Sequence, residues 1–374
     1  MDRERREEGG YMSSGRHQAQ RDPTTTGVNA MGPKKSDKKA TKGVDGEVQG
    51  EDPALFLQNY QRFSRLIGIS ANPKVVAQLQ SDENQPLAQA CIVVDDEHGS
   101  LGPGGTRALM TAIMGTGQDM RGGPYRLIKS LRLWRAHCGD EGARSIAEVL
   151  RLGGAEVKLE YVELFDDNIG PTGATALGQS LSIGCNKSLL SLKLDYNPSL
   201  GSEGTAALCR GLRTNSSLKQ LHLPYCDLGS DAGAPLGEML SYTKLQLAVL
   251  NLQGNRLEAE GTKALSPGLA RNRSLVYLSL ADNGIGSGDA DVDALEDFRD
   301  AMMSCSTLTH VDLLYNRIGE RGARVMLPAL EQNRIKHFLV DATLPTPLFE
   351  ALHRRDSGGG GKKGKKGGKG KKKK

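Results

Sequence analysis

The chain has 374 residues, a quarter of them charged, and a net charge of +5 that is unevenly placed. From Arg354 to the end there are eleven basic residues against one acid, residues 1–50 carry +2, and the body between them carries −7. The six cysteines (Cys91, Cys138, Cys185, Cys209, Cys226 and Cys305) lack CxxC or other metal-type spacing, and no apolar run approaches the roughly 20 residues that cross a bilayer. A disulfide framework, a zinc module and a membrane-spanning helix are therefore not expected. The N-terminus has no apolar core of a secretory signal, so the expected setting is cytoplasmic, with the cytoskeleton, cilium or nucleus open.

Residues 1–50 mix charges, Gly, Ser and Thr without periodicity and read as disordered. Met31 begins "MGPKKSDKKATKG", a second plausible start. Residues 51–89 read as a helical N-terminal cap. Asp52-Pro53 supplies an N-cap and a first-turn proline. Leu55, Phe56, Asn59, Tyr60, Phe63, Leu66 and Ile67 then recur largely at helical spacing. That helix either covers the open end of the next domain or docks on a partner.

Residues 90–345 repeat themselves. "SLRLWRAHCGDEGARSIAEVL", "YVELFDDNIGPTGATALGQSL", "SLKLDYNPSLGSEGTAALCRGL" and "VLNLQGNRLEAEGTKALSPGL" share the form LxxLxLxxNx[IL]GxxGAxxLxxxL, and "CIVVDDEHGSLGPGGTRALMTAIM" is a weaker first copy. The second leucine position falls at Leu131, Val162, Leu192, Leu221, Leu250, Leu278 and Val311, with a partial copy at Phe338, which gives about eight repeats of some 27–33 residues. The LxL core alternates with period two, as a short strand does. Beyond GxxG, apolar residues at +1, +4 and +8, such as Ala174, Leu177 and Leu181, mark one face of a helix. A unit this small cannot bury its own apolar face, so neighbours must stack around a shared core.

These motifs resemble the leucine-rich repeat, in its long, ribonuclease-inhibitor-like class. The resemblance implies an α/β right-handed solenoid, a horseshoe with a parallel sheet on the concave face and helices on the convex face. It also implies protein binding as the activity, with no cofactor. In that family the Asn of LxLxxN bonds the turn backbone; here it is Asn197, Asn255, Asn283 and Asn316, with Asp167 and Cys226 as substitutes and Ala136 departing from the pattern.

Ile318-Gly319-Glu320-Arg321-Gly322 matches the GxxG of a nucleic-acid backbone clamp. The same glycines recur in most units, so they read as backbone geometry. Asp289, Asp291, Asp293, Glu296 and Asp297 are dense, but the EF-hand form is incomplete, and acids suit a helix start. HExxH, GxSxG and GxxxxGK[ST] are all missing, the seven histidines are dispersed, and neither an enzyme, a metal nor a cofactor is expected.

A partner site is expected on the outward positions of the strands. The column between the leucines holds Arg132, Glu163, Lys193, His222, Asn251, Ser279 and Asp312. The next holds Trp134, Phe165, Asp195, Pro224, Gln253, Ala281 and Leu314, and the third Arg135, Asp166, Tyr196, Tyr225, Gly254, Asp282 and Tyr315. Tyr161 and Tyr277 lie just before. The chain has one Trp, nine Tyr and six Phe, and eight of these are placed outward if Phe338 faces the end of the sheet. Such residues dominate interface hot spots. The expected contacts are Arg132, Trp134, Arg135, Tyr161, Glu163, Phe165, Lys193, Tyr196, His222, Tyr225, Tyr277 and Tyr315.

Residues 346–356 read as a C-terminal cap helix, and 357–374 as a disordered basic tail carrying Lys362, Lys363, Lys365, Lys366, Lys369, Lys371, Lys372, Lys373 and Lys374. The tail suits an acidic surface: tubulin tails, nucleic acid or anionic lipid. The expected function is a non-enzymatic scaffold or adaptor, monomeric on its own. The alternatives are a GTPase-activator-like regulator of a small GTPase and an RNA- or chromatin-associated factor.

Overall fold

A computed structural model describes residues 50–80, 90–94, 101–116, 122–153, 156–331 and 334–355. These fall in the second of two compact units, Val48–Lys374; the first, Met1–Glu47, and the lysine-rich tail lie outside the described residues.

Among the described residues, nine short strands form one parallel sheet in chain order: β1 (Ala90–Val94), β2 (Ser130–Trp134), β3 (Tyr161–Phe165), β4 (Ser191–Lys193), β5 (Gln220–His222), β6 (Val249–Asn251), β7 (Tyr277–Ser279), β8 (His310–Asp312) and β9 (His337–Leu339). The register places the repeat's apolar positions side by side, from Leu131 through Val162, Leu192, Leu221, Leu250, Leu278 and Val311 to Phe338. That row is the inner wall of a continuous core, and Phe338 is fully buried in it. The outward placement of Phe338 is thereby corrected: in the last unit the aromatic ring fills the leucine position itself.

Between the strands run α3 (Gly102–Met114), α4 (Gly139–Leu152), α5 (Pro171–Ser180), α6 (Gly201–Leu212), α7 (Gly233–Leu240), α8 (Glu258–Arg271), α9 (Asp289–Ser304) and α10 (Gly319–Glu331). Each packs against its neighbours in sequence, so the helices make an outer layer over the sheet. Ala174, Leu177 and Leu181, and likewise Ala323, Met326 and Leu330, bury the face that the spacing marked.

The two glycines of GxxG have different duties in three of the units, whereas Gly170 and Gly229, at the first position of two others, keep negative φ. Gly139, Gly201 and Gly319 adopt φ of +58°, +54° and +62°, the left-handed conformation that turns the chain into the helix. The second glycine is a matter of space: a Cβ on Gly142 would lie 2.6 Å from Cβ of Cys138. Both are backbone roles.

The turns after the strands are tied by a ladder of buried asparagines. The Asn255 Oδ1 accepts from the amides of Cys226 and Leu228 at 3.0 and 3.1 Å, while its Nδ2 donates to the carbonyls of Leu223 and Leu252. Asn197 and Asn316 repeat this pattern, and Cys226 substitutes for it, its Sγ donating to the Leu194 carbonyl at 3.0 Å. The turn at Ala136 forms as well, with Arg135 and His137 both left-handed. Asn255→Ala should cost about 3 kcal/mol in urea unfolding, because it strands buried amides and carbonyls from two units at once.

A second ladder went unread in the sequence. Asn186, Asn215 and Asn272 lie between helix and strand; each accepts from two amides of its own turn and donates to the carbonyl of Leu150, Leu181 or Leu240 in the preceding unit. The signal was available as N-x-S-L before each of those strands.

At the first end, α1 (Pro53–Leu66) is followed by α2 (Pro73–Gln80). Asp52 caps α1 by accepting from the Ala54 amide at 2.8 Å, Phe56 stacks on Tyr125 at 4.6 Å, and buried Tyr60 accepts from the Asn72 amide. Leu66, assigned to the apolar face, is instead exposed, because the buried stripe runs through Phe56, Asn59, Tyr60 and Ser64. At the other end, α11 (Thr346–Leu352) packs on α10, and Arg354 pairs antiparallel with Phe338 at the edge of β9. No helix among the described residues is long and apolar enough to cross a membrane.

Candidate functional site

Parallel pairing aligns the first outward column as one row, Arg132, Glu163, Lys193, His222, Asn251, Ser279 and Asp312. Arg132 Nε lies 3.7 Å from the carboxylate of Glu163. His222, expected as a contact residue, is only 8% exposed, so its ring has little surface to offer.

The second and third columns bring four of the predicted aromatics together. Trp134 and Phe165 have ring centroids 6.5 Å apart, Phe165 and Tyr196 5.0 Å, and Tyr196 and Tyr225 4.6 Å. The row ends over Gly254, where a Cβ would meet the Tyr225 ring at 2.2 Å. Gln253 Nε2 donates to the Tyr225 hydroxyl at 3.3 Å and holds that ring. Trp134 and Tyr196 remain exposed, and Phe165 and Tyr225 are half-buried.

Every residue of the third column is left-handed. Arg135, Asp166, Tyr196, Tyr225, Gly254, Asp282 and Tyr315 have φ between +52° and +70°. A side chain in this conformation costs roughly 1–2 kcal/mol, yet only one of the seven is glycine. Three tyrosines thus stand where glycine would be cheaper, and the conformation throws their side chains from the turn rather than from the strand.

The other predicted contacts lie apart from that row. Tyr161 opens β3 beside Ser191 and is exposed. Tyr277 stands 6.4 Å from His310, which stacks on His337 at 4.2 Å. Tyr315 is 67% exposed and stacks on no other ring among the described residues. Arg135 and Lys193 flank the row near β2 and β4. The two histidines were missed; only strand register shows that single, scattered residues become neighbours.

Asp195 belongs to the second column. Its carboxyl is pushed up to about 7, chiefly by burial, with Lys193 opposing and Glu163 reinforcing the shift. Its Oδ1 has no hydrogen-bond partner among the described residues.

The remaining chemistry is structural. Burial raises the Cys138 and Cys226 thiols, Cys226 to about 12, which suits a ladder rung and not a nucleophile. Asp291 accepts from the amides of Gly286 and Gly288 at the start of α9, Asp289 pairs with Arg321 at 2.7 Å, and Asp297 pairs with Lys263 at 3.6 Å. No group of three or more His, Cys, Asp or Glu among the described residues is placed to hold a metal ion. The tail lysines, from Lys362 to Lys374, lie outside the described residues.

A parallel sheet of one strand per unit, a helix returning each time and a ladder of asparagines along the turns define a leucine-rich-repeat solenoid. The leucine-rich repeat family model matches residues 185–209, 271–291 and 304–327. Ribonuclease inhibitor of Mus musculus is 31% identical over 163 residues, 42% of this chain and 34% of the inhibitor, and that of Sus scrofa is 26% identical over 261 residues, 55% and 56%. NACHT, LRR and PYD domains-containing protein 14 of Mus musculus is 30% identical over 210 residues, 55% of this chain and 20% of that protein. The chain thus spans between a fifth and little more than half the length of these relatives. Its repeats, and the fold they build, are of the ribonuclease-inhibitor-like leucine-rich type.

Proposed function

We propose that this chain is a non-enzymatic scaffold that binds a protein partner on its concave face, with the basic tail engaging an acidic surface. The row Trp134–Phe165–Tyr196–Tyr225 is the observation that carries this reading. Large rings with small conformational freedom, held by one another and half open to solvent, supply apolar area at low entropic cost. One group of relatives takes its name from inhibiting another protein, a ribonuclease, which supports a protein as the bound partner. A cytoskeletal or ciliary setting is our reading of the lysine-rich end beside a repeat of this class.

Arg132→Glu combined with Trp134→Ala and Tyr225→Ala should abolish partner capture in a pull-down and leave the melting temperature unchanged. Capture that persists would sink the concave-face reading. Deleting 357–374 should remove salt-sensitive binding to microtubules while sparing that capture. Retention of both activities would show that the tail has no such role.

A further inference from the structure

Two neighbouring acids of the concave strands are treated differently. Glu163 has Arg132 at 3.7 Å. Asp195, just past the end of the next strand, is half-buried, and its Oδ1 is enclosed without a hydrogen-bond partner; Lys193 acts on it electrostatically, but no ion pair engages it among the described residues. Withdrawing a carboxylate from water without a partner is costly.

Besides Lys193 and Glu163, two aromatic residues flank its backbone. The Asp166 amide donates to the Asp195 carbonyl at 3.0 Å, which sets Phe165 beside it. Tyr196 follows it in the chain and stacks on Tyr225. A planar guanidinium satisfies both features, pairing with a carboxylate while lying on a ring face. The protein builds the same arrangement from its own residues elsewhere. Arg213 lies 4.9 Å from the centroid of Tyr242, donates to its hydroxyl, and pairs with Glu238 at 3.6 Å.

We propose that Asp195, beside the ring row of Phe165, Tyr196 and Tyr225, is the subsite that receives an arginine side chain from a partner segment lying along the concave face. This rests on the concave-face reading and names the chemistry of its partner. The body's charge of −7 favours the approach of such a basic segment.

The test pans a random dodecapeptide library against the full chain at about 0.15 M salt. Enriched peptides should carry an arginine flanked by apolar residues. Replacing that arginine by citrulline should weaken binding at least tenfold. Asp195→Asn should do the same, and the two changes together should cost no more than either alone. Removal of an unpaired charge should not lower the melting temperature of Asp195→Asn, which separates lost binding from lost fold. Enriched peptides that lack arginine, or that bind Asp195→Asn equally well, overturn the inference. If their binding is still abolished by Trp134→Ala, the concave-face reading survives that failure; if it is not, both fall. Arginine peptides that bind only after the nine tail lysines are changed to serine make the tail the occupant and also overturn the inference.

Discussion

Gly211→Ala should lower the unfolding free energy by about 3 kcal/mol, although alanine is the better helix former. Gly211 lies inside α6, where the substitution alone favours the helix by roughly 0.5–1 kcal/mol. Packing reverses that sign. A Cβ at Gly211 would sit 1.9 Å from the Gly178 carbonyl oxygen and 2.3 Å from its carbonyl carbon, both rigid backbone of α5. No rotamer relieves a clash between Cβ and backbone, so α5 and α6 must separate, and overpacking of this kind costs on the order of 1–3 kcal/mol or more. Gly268 against Gly237 repeats the contact between α8 and α7, also at 1.9 Å. Gly104 is the control, since its nearest neighbour would be Ile69 at 3.7 Å; Gly104→Ala should be neutral or slightly stabilising. Urea unfolding of the three alanine variants, at Gly211, Gly268 and Gly104, measures the differences. Equal behaviour of Gly211→Ala and Gly104→Ala would show that the helices tolerate a wider spacing.

Asp167→Asn should stabilise the protein at neutral pH by on the order of 2–4 kcal/mol and flatten its stability between about pH 4 and pH 7. Asp167 occupies an asparagine position of the turn ladder. In the next unit, Asn197 Nδ2 donates to the carbonyls of Leu164 and Leu194. The matching carbonyls at Asp167 belong to Leu133 and Leu164, and an ionised carboxylate has no hydrogen to give them. Burial therefore pushes the Asp167 carboxyl up to about 7, although the nearby amides of Ala136, Cys138 and His137 act in the opposite direction. A folded-state value raised above the unfolded one means that the folded protein binds the extra proton. Stability from this group is then fully present below about pH 4. It falls as the unfolded chain ionises and levels off above about pH 7, with each tenfold difference in proton affinity worth about 1.4 kcal/mol. Asparagine supplies the missing donor at every pH. Thermal melts at pH 4 and pH 8 decide the matter: wild-type and variant should converge at the lower pH and separate at the higher. Identical pH profiles would mean that a water or a shifted backbone already satisfies Asp167.

The repeat was legible because each unit faces the same problem. A strand and a helix of this size cannot bury their own leucines, so the spacing of Leu131, Val162, Leu192 and their successors had to become a register of adjacent strands. GxxG was legible for the same reason, since a motif that recurs in most turns belongs to backbone geometry. Single positions were harder. Phe338 looked like one more aromatic at the sheet's end until the pairing with Val311 put it in the core. Leu66 belonged to a helical stripe whose actual direction was decided by what lay beneath it.

The sequence by itself determined the solenoid, the alignment of strand positions into columns and the clustering of aromatics along them, because period, alternation and turn chemistry are local properties repeated many times. Only the tertiary structure decided which rings stack, that His310 meets His337, that Asp195 and Asp167 lose their water, and that helices touch through bare glycine. Those outcomes depend on residues about thirty positions apart in the chain meeting at distances of a few ångströms, and a repeat's average pattern carries no information about the particular side chains that meet there.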